Sequence, residues 1–322
     1  MARQITFSVI IPTYNREVYL LDAVLSAVNA SPENTEIIIV NDGRQLSEAT
    51  RNRLGALNAV VLKTAGGTGA GAARNLGAER ATGQWLLFLD DDDLVSVGYW
   101  QSIFELLVQG EGMHYRSYGF CQTTISKDRD TMYAIANTVK SVTTSFVEEK
   151  KSLRMKMAAL CRGFWLSNSI FKEVGGFDPE LRVNEDTDLC LKLVASGARC
   201  YVSSFDGVIV YKGPRNSKVS KSVTNAYNAS ERASYFKKII GRHSKLLEAD
   251  RPANKWVWKR YLKMAARARK KSALVELAEN TNLDLITKFI LRTYWYIIFF
   301  SRLLATKYTY DLYLRPRFQI SE

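Results

Sequence analysis

The chain has 322 residues, 47% hydrophobic and 24% charged, which is material for a large core and excludes a disordered or collagen-like protein. Four cysteines (Cys121, Cys161, Cys190, Cys200) form no CxxC pair and only two histidines accompany them, so neither a disulfide framework nor a Cys/His zinc site is readable, and reduced, mostly buried thiols are expected. The net charge of +13 is one-sided: residues 1–205 carry 21 basic against 23 acidic side chains, residues 206–322 carry 24 against 9.

Residues 6–11 (TFSVII), 36–40 (EIIIV), 59–62 (AVVL) and 84–89 (QWLLFL) are short apolar runs rich in β-branched or aromatic residues, separated by stretches of helical length. That alternation predicts a parallel sheet with crossover helices. Between the runs, 17–30 sets Leu20, Leu21, Val24, Leu25 and Val28 at helical spacing, and 70–81 is an alanine-rich helix ended by Gly83. Four βα units therefore fill the first ninety residues. A helix is expected over 97–108, a hairpin over 113–136 that makes the sheet mixed, helices over 170–176 and 185–196, and closing strands at 199–203 and 207–211. The α/β unit is expected to span 1–212. The remainder, 213–322, reads as basic and helical over 223–240, 255–271 and 285–304. The first apolar run is too short for a secretory leader and continues into Pro12, so a cytoplasmic location is expected.

In open α/β sheets ligands bind beyond the carboxyl ends of the strands. Those ends here carry Pro12-Thr13-Tyr14-Asn15-Arg16, then Asn41-Asp42-Gly43, then 63–71, then four aspartates at 90–93. Adjacent carboxylates raise one another's pKa unless a cation neutralises them, so the run points to Mg²⁺ or Mn²⁺. In extended chain Asp90 and Asp92 share a face while Asp91 points elsewhere; the competing reading is that Asp91, Asp92 and Asp93 cap a helix starting near Ser96. Asp42 before Gly43 is either a turn former or a ligand acceptor. Glu185 and Asp186 either complement a helix dipole or supply a general base. Trp165 is either a core aromatic or a sugar platform. Gly67-Thr68-Gly69-Ala70-Gly71-Ala72 nearly matches the dinucleotide-binding glycine pattern, but it follows the third strand rather than the first, which argues for a loop beside the ligand and against an oxidoreductase.

Taken together, SVIIPTYNR, EIIIVNDG, GAARNLGAERATGQWLLFLDDDD, GGFDPEL and NEDTDLCLKLVASG resemble, in order and spacing, the family 2 glycosyltransferases, over about residues 6–212. The resemblance implies an inverting, sugar-nucleotide-dependent enzyme of the GT-A fold: a Rossmann-like mixed sheet flanked by helices, here followed by a helical C-terminal region. It implies that Pro12, Thr13 and Tyr14 lie under the nucleoside, that Asp42 accepts from a uracil-type imide N–H, and that Arg74 reaches the nucleotide. Asp92 is implied as direct ligand of Mg²⁺ or Mn²⁺, with Asp90 and Asp91 toward ribose, water or metal, and Asp186 as the base, with Glu185 and Trp165 on the sugar or acceptor side. Asn41 departs from the acidic residue often found at its position, and no histidine lies in 211–222 to add a metal ligand, so the ion is expected to rely on phosphate and water. The donor is expected to be a UDP- or dTDP-type sugar nucleotide and the acceptor a glycan or lipid-linked molecule in cell-surface polysaccharide synthesis. The alternative is a catalytically silent nucleotide-binding or scaffold protein of the same fold.

Within 285–304 the longest uncharged run, 293–301, is too short to cross a bilayer. Aromatics and leucines interspersed with basic residues fit a helix lying on an anionic membrane surface; the alternative is a helical cap on the catalytic unit or an oligomer contact. Nucleic acid is not expected, because no reader motif accompanies the charge.

Overall fold

The computed structural model describes residues 5–109, 115–138, 146–157, 163–212, 227–280 and 282–304, in two compact units, Met1–Ser222 and Val223–Glu322. The first unit begins with β1 (Phe7–Thr13), α1 (Glu17–Ala30), β2 (Glu36–Asn41), α2 (Glu48–Ala56), β3 (Val60–Lys63), α3 (Ala70–Arg80) and β4 (Trp85–Phe88). β1 is fully buried and pairs in parallel with β2 and with β4, while β2 pairs in parallel with β3. These are the four strands that the apolar runs predict, forming three βα units and a fourth strand that leads into another strand rather than directly into a helix.

Beyond β4 the chain forms β5 (Leu94–Val95), α4 (Tyr99–Gln109), β6 (Ser117–Ser126), α5 (Arg129–Asn137), β7 (Phe146–Glu148), α6 (Leu153–Lys156), β8 (Trp165–Ser167), α7 (Asn168–Glu173), α8 (Glu185–Ala195) and β9 (Arg199–Tyr211). The sheet runs β3-β2-β1-β4-β8-β6-β9-β5, with β7 added on β9. β8 is antiparallel to β4 and β6, β9 is parallel to β6, and β5 and β7 are antiparallel to β9, so the sheet is mixed.

Two expectations need correction. The segment 113–136 is not a hairpin: its first two residues lie outside the described residues, and the rest is one long strand followed by a helix. Asp128 caps that helix by accepting from the Thr131 N–H at 2.8 Å, so the polar cluster 126–130 is a helix start rather than a turn. The two closing strands are one, β9, because the register shifts opposite Phe120 and Gln122 bend the ladder without ending it.

The core lies between the sheet and its helices. Trp165 belongs to it, fully buried and edge-on to Trp85 at 5.6 Å between ring centres. Cys121, Cys190 and Cys200 are buried and carry no disulfide; Cys161 lies outside the described residues.

The second unit comprises α9 (Ala229–Arg242), α10 (Ser244–Ala249), α11 (Arg251–Arg267), α12 (Ser272–Glu279) and α13 (Leu285–Leu304). The expected helix at 223–240 starts within residues not described, and its described part opens on a capping box between Asn228 and Glu231. α11 starts four residues earlier than the sequence reading placed it, because Asp250 accepts from the Ala253 N–H at 2.9 Å and Pro252 suits a first helical turn. No helix among the described residues is long and apolar enough to cross a membrane.

Candidate active site

The carboxyl ends of β1, β2 and β4 meet the start of α8 along one edge. Pro12 and Thr13 are buried within β1 rather than in a loop, and only Tyr14, half exposed, projects past the strand. Asn15 follows at φ 56°, a left-handed conformation that asparagine tolerates, and its Oδ1 accepts from the Arg44 N–H at 2.8 Å. The next loop is pressed close: a Cβ on Gly43 would stand 2.6 Å from that same Oδ1. Asn41 Oδ1 accepts from the Gly43 N–H at 3.0 Å while its Nδ2 donates to the Arg44 carbonyl at 2.7 Å. A carboxylate could accept but not donate, which gives a physical reason for an amide at this position.

Asp42 is buried and serves the glycine loop. Its Oδ1 accepts from the Thr64 hydroxyl and from the Thr68 N–H and hydroxyl at 2.8 and 2.7 Å; its Oδ2 accepts from the Gly69 N–H at 2.8 Å. Burial pushes the carboxyl up, but these donors outweigh it and hold Asp42 below the usual range. Gly69 sits at φ 96°, where a side chain is strained, so the dinucleotide-like glycines are the bend that folds the loop over Asp42. Oδ1 thus accepts from three donors and Oδ2 from one.

The four aspartates go four ways, because the chain turns between β4 and β5 with the Asp93 N–H on the Asp90 carbonyl at 3.2 Å. Asp91 is fully buried, accepts from the Thr13 hydroxyl at 2.7 Å and is paired with Arg16 at 2.8 Å. Burial raises its pKa to about 7, against the pull of Arg16. Asp92 is also paired with Arg16, and Asp90 with Arg74 at 2.6 Å. Asp93 accepts from the Tyr211 N–H at 3.0 Å, and burial, with Asp90 and Asp92 near, pushes it well above the carboxylate range. Asp91 and Asp93 are therefore scaffold, and the alternation that puts Asp90 and Asp92 toward a ligand leaves both on the edge, partly exposed. The competing helix-cap reading fails, because β5 rather than a helix follows the run.

Arg74 links the two halves of the site. It is buried on α3, and its second nitrogen, Nη1, binds Glu185 Oε1 at 3.1 Å. Burial works against its charge, but Asp90, Glu185 and Asp186 outweigh it and keep the guanidinium protonated. Glu185 and Asp186 open α8 after Asn184, whose left-handed φ of 62° turns the chain into the helix. Burial raises Glu185 to about 7, offset by Arg74 and reinforced by Asp186. Asp186 Oδ1 accepts from the Thr187 N–H at 2.8 Å. Asp188 is buried and paired with Lys192 at 3.3 Å, a structural role.

Of the expected site residues, Asp42, Arg74, Asp90, Asp91, Asp92, Glu185 and Asp186 converge, with Tyr14 at the rim. Trp165 does not: enclosed in the core, its ring has no face for a sugar or acceptor. Two arginines were missed. Arg16 was legible only as a cation following strand one on the same edge as the acids. Arg129 donates to the Asp92 carbonyl at 2.9 Å and to Asp22 at 2.7 Å, with its guanidinium over the rings of Tyr19 and Tyr211 at 5.0 and 5.3 Å. The hairpin reading of 113–136 hid it. Residues 213–222, where an additional metal ligand was sought, lie outside the described residues.

Comparisons with known proteins bear on the family and the fold. An uncharacterised glycosyltransferase of Haemophilus influenzae is 31% identical over 147 residues, 43% of this chain and 52% of its own length. The Bacillus subtilis minor teichoic acid biosynthesis protein GgaB is 37% identical over 108 residues, 30% of this chain and 11% of its own. The chain spans about half to three fifths of the length of the two Haemophilus relatives it matches. Residues 1–349 of Staphylococcus aureus TarS, crystallised with UDP-GlcNAc, share the fold at a TM-score of 0.59 and 16% identity, over 93% of this chain and 83% of that one. The family model described as glycosyl transferase family 2 matches residues 8–175, from β1 past the aspartate turn and just over half of the chain. A Rossmann-like mixed sheet whose strand ends gather these acids, matched over that length, places the chain in glycosyl transferase family 2.

Proposed function

We propose that the chain transfers a sugar, with inversion, from a UDP- or dTDP-type sugar nucleotide to a glycan or lipid-linked acceptor in cell-surface polysaccharide synthesis. The observation that carries this reading is the acid excess along the edge: among the described residues, Asp90, Asp91, Asp92 and Glu185 are ion-paired with two guanidiniums, Arg16 and Arg74, and Asp186 lies beside Arg74. The teichoic acid relatives and the UDP-GlcNAc complex of TarS support the donor and acceptor classes.

Asp92 and Asp90 are hard oxygen donors on the accessible edge, and this chemistry fits Mg²⁺ or Mn²⁺. Among the described residues no group of three His, Cys, Asp or Glu gathers to hold an ion, so diphosphate oxygens and water complete the set. When bound, such an ion withdraws charge from the departing nucleoside diphosphate. The half-exposed ring of Tyr14 offers a face to the base, and Asp42 Oδ2 an acceptor to its imide. Asp186, at the first turn of α8, takes the proton of the acceptor hydroxyl. Glu185 is tied to Arg74 and positions it.

Transfer assays on the full chain, with Mn²⁺ or Mg²⁺ and with chelator, test the reading. Asp186→Asn is expected to lower kcat by about a hundredfold or more. Asp92→Ala is expected to weaken UDP binding in the presence of the ion and to leave binding with chelator unchanged. Near wild-type turnover in both variants refutes the mechanism.

A further inference from the structure

α13 has two apolar faces, and its own unit covers one. Leu291, Trp295 and Ile298 are buried against the rest of the unit. At helical spacing on the other side stand Leu285, Ile286, Phe289, Ile290, Ile297 and Phe300, all exposed, Leu285 to 84% and Phe289 to 71%. An apolar stripe of four turns facing water on a helix is unfavourable unless something covers it.

The surroundings of the stripe are cationic. Arg292 is exposed on one flank of α13. On the other flank, one turn past Ile290, the ring of Tyr294 lies 5.0 Å from Lys259 Nζ of α11. Arg260 and Lys263 follow on α11, with Arg260 over the ring of Trp256 at 4.6 Å. The crowding of charge is felt locally: burial, then Arg267, Arg260, Arg232 and Lys259, bring Lys263 down to about 8. Over 227–304 the sequence carries 17 Lys and Arg against 6 Asp and Glu.

We propose that α13 lies along an anionic lipid surface, its Ile286–Phe289–Ile297–Phe300 stripe among the acyl chains and Arg292 and Lys259 at the level of the headgroup phosphates. Amphipathic helices bind interfaces in this way, apolar area supplying the anchor and flanking cations the preference for negative lipid. Charge decides between the candidate occupants. A second copy meeting the same face would bring one cationic flank against another, whereas anionic headgroups complement both flanks. The helix is not apolar enough to span, so the surface is the site available to it. The inference rests on the second unit alone and is independent of the proposed transfer reaction.

The test is flotation of the full chain with vesicles of phosphatidylcholine, alone or mixed with phosphatidylglycerol. Wild type is expected to float with the mixed vesicles only, and less at high salt. Phe289→Ser with Phe300→Ser is expected to lower the partition at least about tenfold, from the apolar area lost. Arg292→Gln and Lys259→Gln are each expected to lower it about fivefold. All four side chains are exposed, and unchanged circular dichroism and melting temperature verify folding of the variants. Absence of flotation, equal flotation with phosphatidylcholine alone, or unchanged partition of the variants overturns the proposal. So does lipid-free self-association in sedimentation that the phenylalanine substitutions abolish, which would make the stripe a contact between copies.

Discussion

Replacing Asp42 by asparagine separates its service to the glycine loop from any service to a nucleobase. Asparagine keeps one oxygen for the Thr64 and Thr68 donors but turns an amide nitrogen toward the Gly69 N–H, so one charge-assisted bond is lost and the others become neutral. A hydrogen bond to a charged group contributes about 1.5–3 kcal/mol, so the loop is expected to loosen by about 2–3 kcal/mol. Hydrogen exchange reads this directly: the Thr68 and Gly69 amides should exchange about 30- to 150-fold faster in Asp42→Asn, at roughly 1.4 kcal/mol per tenfold. The pH dependence has a definite sign. Asp42 is held below its ordinary 3.8, so its contribution is fully present above that value and is lost as pH falls through the lower folded pKa. Wild-type protection, corrected for intrinsic exchange, should be flat from neutral to about pH 5 and collapse in stronger acid, whereas the asparagine variant should lack that acid step. Thr68→Val removes a loop donor without touching the Oδ2 acceptor, and is expected to loosen the loop while altering UDP affinity less than Asp42→Asn. Equal protection of the Thr68 and Gly69 amides in wild type and Asp42→Asn refutes the loop role.

Arg16→Met is expected to destabilise the first unit in urea unfolding, by about 3 kcal/mol at pH 9 and by less at pH 7, because the fully buried Asp91 loses its ion pair and, already raised to about 7, takes up a proton near neutrality. The loss should be smaller in Arg16→Met combined with Asp91→Asn, which removes the stranded charge. Trp165→Phe is expected to lower stability by about 1–3 kcal/mol through the space it leaves beside Trp85, with the KM for acceptor unchanged; a selective rise in KM would restore the platform role that its burial denies.

The first half of the sheet was legible because β1, β2 and β4 are short apolar runs buried on both faces, with the β-branched β3 at the edge, and a parallel sheet makes use of such runs at that spacing. The edge residues followed from the same logic for Asp42 and the aspartates, which stand where those strands stop, whereas Arg74, inside α3, was implied only by the family resemblance. Legibility ended where a local signal had two readings. Ser126 to Asp130 has the polarity of a turn and equally the N-cap of a helix, and only the donor position of the Thr131 N–H decides between them. Ser203 to Gly207 looks like a break between two strands, yet a register shift carries β9 through. Trp165 carries the same indole whether it lines a cleft or fills a core, and its packing on Trp85 comes from an antiparallel pairing of distant segments that no periodicity announces.

The run at 90–93 illustrates how far charge counting reaches. Four adjacent acids imply a cation somewhere, and the cations nearest are guanidiniums, one per pair of carboxylates: Arg16 between Asp91 and Asp92, Arg74 between Asp90 and Glu185. Both are partly or wholly buried, and Arg129 is spent on the Asp92 backbone, on Asp22 and on aromatic rings, so none of the three is at liberty to receive a diphosphate without releasing an acid. A diphosphate approaching Asp90 and Asp92 therefore meets an edge whose own charge is unfavourable to it. On the proposed reaction, that imbalance favours a divalent ion arriving with the donor rather than waiting for it, since phosphate oxygens would supply ligands beyond those the described residues gather and the ion would supply charge that the arginines have already committed.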